Sequence, residues 1–91
     1  MNDSKSVLVL ARRDFLEAMR VAAGITVFGH HVALVFAQGV LEVNSEMEEF
    51  AELLELADIE PRSLYDDPEV PGISERDFTR LVEQSDFVIN V

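Results

Sequence analysis

The order of apolar and polar positions predicts that strands and helices alternate along this chain. Residues 7–11 form a continuous apolar run, which is typical of a strand buried on both faces of a parallel sheet. From residue 15 to residue 25, apolar side chains recur at helical spacing. Glycines at positions 24 and 29 indicate that this helix ends near residue 27 or 28. A second run, His31 followed by apolar residues from 32 to 36, predicts a second buried strand.

The second half of the chain repeats this alternation with clearer helix starts. Ser45 is followed three residues later by Glu48, a capping box that predicts a helix there. Its apolar stripe (47, 50, 53, 54 and 57) lies opposite a row of glutamates. Prolines at 61 and 68 limit a short strand at 62–65. Ser74 is predicted to cap a third helix, and residues 87–91 form a last strand.

Four strands alternating with three helices predict an α/β fold. We expect one domain over residues 1–91, a flavodoxin-like three-layer sandwich. Its roughly four strands should be mainly parallel with helices on both faces, because βαβ units form parallel sheets. The expected spatial order, as in flavodoxin-like sheets, places the second strand at the edge, followed by the first, third and fourth.

Composition narrows the classes of function that this domain can serve. The net charge is −11, and residues 42–91 hold fifteen acidic residues against three arginines. This acidity excludes nucleic acid as a partner, because phosphate would be repelled. It indicates a solvated helix face, or a docking surface for a basic partner. No apolar run approaches the roughly 20 residues that cross a bilayer, no secretory signal is visible, and cysteine is absent. We therefore expect a cytoplasmic protein that does not enter membranes.

Polar residues follow the first and third predicted strands. Ligands of open α/β sheets bind beyond the carboxyl ends of the strands. A small anion could be held there, although no glycine-rich phosphate motif accompanies these residues. The interpretation we favour is that the arginines are exposed and pair with Asp14, Glu17 or a neighbouring subunit. The candidate ligand-binding residues are Arg12, Arg13, Gln38, Asp66 and Asp67.

No metal or cofactor is expected. Adjacent histidines in a strand point to opposite faces, so His30 and His31 are poorly placed to bind one metal. A magnesium site at Asp66 and Asp67 would need acidic residues after the first strand, where Arg12 and Arg13 stand instead.

A self-association surface is the other candidate site. The domain is small and has no cysteines for disulfides, and apolar residues occur in a segment that reads as loop. The candidate interface residues are His30, His31, Val40, Leu41 and Val43. We expect a homo-oligomer.

Three stretches carry a resemblance to a known family. The first strand leads into a helix of small residues that ends at Gly29 and His30 before the next strand. Residues 34–40 combine a strand with a glycine-bearing loop, and residues 72–91 supply a terminal helix and strand. Together they resemble the DsrE/DsrF family, the small α/β proteins that include the sulfur-relay subunits TusB, TusC and TusD.

The resemblance implies a function without the family's chemistry. Active members carry a cysteine in the loop after the third strand, and the matching place here is near Asp66 and Asp67. A carboxylate cannot form a persulfide, which requires a thiolate. The implied role is therefore that of a non-catalytic subunit, structural or docking. It would act in a homo-oligomer (dimer, trimer or hexamer) or in an assembly with other sulfur-relay proteins.

Two other functions stay open. One is a domain that binds a small anionic ligand in the strand-end crevice near Arg12, Gln38 and Asp66. The other is an enzyme that uses unrecognised residues. A docking subunit should fill the crevice with its own or a neighbour's side chains, whereas a ligand-binding domain should leave it open with converging polar groups.

Overall fold

The computed structural model describes residues 4–37, 45–65 and 70–91. Strands and helices alternate in the predicted order, and the ends of the first helix agree with the sequence pattern. Its last residue is Val27, and Gly29 follows with φ of 85°, a left-handed conformation that favours glycine. The elements are β1 (Ser6–Ala11), α1 (Phe15–Val27), β2 (His31–Phe36), α2 (Ser45–Leu56), β3 (Arg62–Ser63), α3 (Glu75–Gln84) and β4 (Phe87–Asn90).

The four strands form one parallel sheet in the order β3-β2-β1-β4. The predicted α/β class and parallel pairing are confirmed. The predicted strand order is wrong, because β3 pairs with β2 and β4 pairs with β1. Contacts between α1 and α2 place both helices on one face of the sheet. The chain therefore continues outward from β1 through β2 to β3, and returns to the other side of β1 with β4.

Two apolar cores lie on the two faces of the sheet, since side chains of a strand alternate between faces. Val7, Val9 and Ala11 of β1 face α1 and α2, where they pack with residues including Ala18 and Leu54. Leu8 and Leu10 lie on the opposite face, where Phe78 and Leu81 of α3 pack against them. The helices on both faces complete the three predicted layers.

The third strand is shorter than predicted. Residues 62–65 were expected to be extended, but β3 holds only Arg62 and Ser63. The Ser63 hydroxyl accepts a hydrogen bond from the Tyr65 amide at 3.1 Å, and this local turn competes with further strand pairing. The Leu64 amide still donates to the Phe36 carbonyl, while the Ser63 amide and carbonyl bond on the outer side of β3 to Pro71 and Ile73.

Helix α2 also departs from the sequence pattern. Leu54 is buried as expected, but Leu53 of the predicted stripe is 47% exposed. The reason is that α2 packs mainly against α1, so only part of its apolar stripe is covered. No helix in the described ranges combines the length and the apolarity that crossing a membrane requires.

Candidate functional site

The strand order places the crevice between β1 and β4. After β1 the chain turns toward β2, whereas β4 lies on the other side of β1. In open α/β sheets, such a reversal separates the loops beyond the carboxyl ends and creates the usual ligand crevice. Arg12 and Arg13 follow β1 directly, so two predicted ligand-binding residues stand at this place.

Asn90 and Val91 bond to the residues that follow β1. The Val91 carbonyl accepts hydrogen bonds from the amides of Arg12 at 2.8 Å and Arg13 at 3.0 Å. The Arg12 side chain donates from Nε to Oδ1 of Asn90 at 2.7 Å. These two amides and this guanidinium edge are therefore engaged by the end of β4. Arg13 keeps an exposed side chain.

The first turn of α1 has its own carboxylate. Asp14 is the N-cap residue, and its Oδ1 accepts a hydrogen bond from the Glu17 amide at 3.0 Å. Helix N-termini attract anions through exposed amides and the helix dipole. Here the Asp14 carboxylate already supplies that negative charge and would repel a bound anion.

The predicted pairing of the arginines with neighbouring acids is wrong for Arg12. Its side chain bonds to Asn90, while Glu17 forms an ion pair with Arg20 one turn along α1. The hydrogen bond from Arg20 lowers the pKa of the Glu17 carboxyl below its ordinary value. Sequence reasoning missed this pair, although a spacing of three residues on a helix is a known signal for it.

The other predicted ligand-binding residues, Gln38, Asp66 and Asp67, lie outside the described residues. The last residues before them, Ala37 and Tyr65, follow β2 and β3 at the same edge of the sheet. The proposed convergence of these residues with Arg12 and Arg13 therefore stays a prediction.

The histidines lie at the opposite end of the sheet. His30 precedes β2, and its Nδ1 accepts a hydrogen bond from the Lys5 amide at 3.0 Å. His31 begins β2, and its exposed side chain borders a cleft of about 170 Å³ that Gln84 of α3 and the following Ser85 also line. The part of the chain that the structure describes contains no cluster of three metal-binding side chains. Val40, Leu41 and Val43 of the predicted interface lie outside the described residues.

Sequence reasoning missed the exposed apolar surface of β4. Residues 87–91 were interpreted as one more strand, and the strand is confirmed at 87–90. It lies at the edge of the sheet, where Phe87 is 58%, Val88 41% and Ile89 36% exposed. Three consecutive apolar residues usually indicate a strand covered on both faces. The run itself was visible, but its edge position depends on the strand order.

Comparisons of the chain with protein-family models, with curated proteins and with solved structures found no match. The resemblance to the DsrE/DsrF family therefore stands on the sequence stretches that suggested it.

Proposed function

We propose that this chain is a non-catalytic docking subunit of the DsrE/DsrF type. It would associate with itself, or with other sulfur-relay proteins, in the cytoplasm. The observation that carries the proposal is the pairing of the backbone amides after β1, where Arg12 and Arg13 both donate to the Val91 carbonyl. A ligand bound to these amides would have to displace their hydrogen bonds to Val91.

The distribution of exposed apolar side chains supports the same proposal. Val27 and Phe28 are more than 80% exposed at the end of α1, at 83% and 81%. Phe87 begins β4 and is 58% exposed. These residues lie at the ends of elements, where apolar groups gain from cover by another molecule. Their exposure favours a surface that contacts another molecule and does not favour a buried catalytic pocket.

The chemistry of the chain supports a role without sulfur transfer. Persulfide formation needs a thiolate nucleophile, and the sequence contains no cysteine. A subunit of this kind would position partners and would leave sulfur transfer to them.

Labelling by a persulfide donor tests this role directly. We expect no covalent transfer of labelled sulfur from a persulfide-charged donor protein to this chain. The matched control is Tyr65→Cys, because Tyr65 follows β3 and is 52% exposed. That variant offers a thiol close to the place where the resemblance expects one. Stable labelling of the unmodified chain would overturn the proposal.

Self-association is tested by light scattering combined with size-exclusion chromatography. At micromolar concentration we expect a mass above that of the 10.2 kDa chain. A strictly monomeric chain would leave only association with other proteins and would contradict the homo-oligomer.

The alternative function, binding of a small anion, has one observation in its favour. Arg13 presents an exposed side chain at the carboxyl edge of β1. If an anion binds there, phosphate should raise the melting temperature by mass action more than chloride at matched ionic strength. The double variant Arg12→Ala/Arg13→Ala should then lose that rise. Equal effects of phosphate and chloride would exclude this function.

A further inference from the structure

We propose that two copies of this chain pair through β4, as antiparallel strands across a twofold axis, to form a continuous eight-stranded sheet. The inference rests on the self-association proposed above and names its surface. β4 pairs with β1 along one edge. No other strand among the described residues pairs with its second edge.

The free edge of β4 lacks the features that keep edge strands apart. Natural edge strands are protected by charged residues, prolines, bulges or a covering element. The four residues of β4 include neither a charged residue nor a proline. Directions of amides and carbonyls alternate along a strand, so part of them point away from β1. A second strand would satisfy these groups and remove the edge.

Apolar side chains border this edge on both faces of the sheet. Phe87 is in register with Val7 and Ile89 with Val9, so both project on the face that carries α1. Val88 projects on the opposite face, where Val82 of α3 is 37% exposed. A partner that rested on one face would leave the other exposed. A strand added in the plane of the sheet covers both.

The distribution of charge explains why the partner is a second copy of this chain. Exposed acidic residues are concentrated in α2 and the segment before β3, on the far side of the sheet. The residues are Glu48, Glu49, Glu52, Glu55, Asp58 and Glu60. Residues 75–91, by contrast, hold two arginines against four acidic residues. Pairing through β4 therefore joins the two copies at their least acidic edges.

The distance between the acidic regions supports this arrangement. Neighbouring strands are about 4.8 Å apart, so the two β3 strands of an eight-stranded sheet would be roughly 34 Å apart. Charges screen each other over about 8 Å at physiological salt. Pairing through β3 would bring the acidic regions together, and β3 offers only two residues.

The two ends of β4 are complementary in charge. Asp86 precedes the strand, whereas Arg12 and Arg13 lie beside its end, where their amides bond to Val91. Antiparallel pairing brings the beginning of one β4 to the end of the other. The Asp86 carboxylate, which accepts a hydrogen bond from the Ser6 amide at 2.8 Å, then lies at the same end of the joined strands as the partner copy's arginines. Parallel pairing would place like charges together.

Cysteine scanning gives a sharp test, because the chain has no cysteine of its own. Across a twofold axis perpendicular to the sheet, one residue of β4 faces its own copy. Disulfides need Cα atoms about 4.4–6.8 Å apart. Among single cysteine variants at 87, 88, 89 and 90, we expect one clear maximum of disulfide-linked dimer under mild oxidation. Val27→Cys and Leu56→Cys are the matched controls, since these residues are 83% and 85% exposed but lie on α1 and α2.

A charge placed on β4 gives the second test. Ile89→Lys should weaken dimerisation at least tenfold in sedimentation experiments, while Leu56→Lys should leave it unchanged. Circular dichroism checks that each variant folds. If Ile89→Lys does not fold, the cysteine series alone tests the interface. A dimer that resists Ile89→Lys and cross-links best through Val27 or Leu56 overturns this inference but leaves self-association intact. If the unmodified chain is monomeric, both the pairing through β4 and the proposed self-association are wrong.

Discussion

Asp14 shows how a single side chain fixes the start of α1. Its carboxylate accepts a hydrogen bond from the Glu17 amide, one of the amides that a helix leaves without a partner. We expect Asp14→Ala to lower the free energy of unfolding by about 1 kcal/mol, measured by urea denaturation. Asp14→Asn, which retains the accepting oxygen, should lose much less. Equal losses in both variants would show that the cap does not contribute through this bond.

The pair between Glu17 and Arg20 predicts a dependence of stability on acidity. The hydrogen bond from Arg20 lowers the pKa of Glu17 in the folded chain. A carboxyl with a lowered pKa contributes stability above its unfolded pKa, and that contribution disappears as the pH falls through the folded pKa. The pair lies at the surface, so the change should be small. Carboxyl NMR titration should show Glu17 returning toward its ordinary pKa in Arg20→Gln. No change in that variant would remove Arg20 as the cause.

At the scale of elements, β1 and β4 show that the position of a strand in the sheet changes how much an apolar residue contributes to the free energy of unfolding. Leu8 and Val88 are in register on the same face, but Leu8 is fully buried and Val88 is 41% exposed. Removing buried methyl groups leaves a cavity, so Leu8→Ala should cost about 2–5 kcal/mol. Val88→Ala should cost under about 1 kcal/mol. Thermal or urea unfolding of the two variants, measured below the concentration at which the chain associates, checks this difference.

The elements themselves could be predicted from local patterns, and their arrangement could not. Apolar runs and capping residues such as Ser74 indicated strands and helix starts, because they act within a few residues; the Ser74 hydroxyl does accept from the Asp77 amide at 3.1 Å. The strand order depends on whether α2 crosses on the same face as α1, which no local pattern records. The wrong strand order also affected the predicted binding site. The hydrogen bonds that Asn90 and Val91 accept from Arg12 require β4 beside β1.

At the scale of the whole molecule, charge is segregated across the sheet. Six exposed acidic residues lie between positions 48 and 60, and that region flanks β3 at one edge. The apolar strand β4 forms the other edge. A net charge of −11 makes two copies of the chain repel each other. The topology removes this obstacle at one edge, because the acidic region and the apolar strand β4 lie on opposite sides of the sheet.

This segregation predicts how association responds to charge and salt. The triple variant Glu49→Gln/Glu52→Gln/Glu55→Gln should change the dimerisation constant less than about twofold at 0.15 M salt, where screening acts over about 8 Å. At 0.01 M salt, where it acts over about 30 Å, the same variant should dimerise more tightly than the unmodified chain. Arg13→Glu should weaken dimerisation at both salt concentrations, because Arg13 lies beside the end of β4. Sedimentation equilibrium measures all three chains. Strong tightening of the glutamine variant at 0.15 M salt would place the acidic regions side by side and would locate the interface near β3.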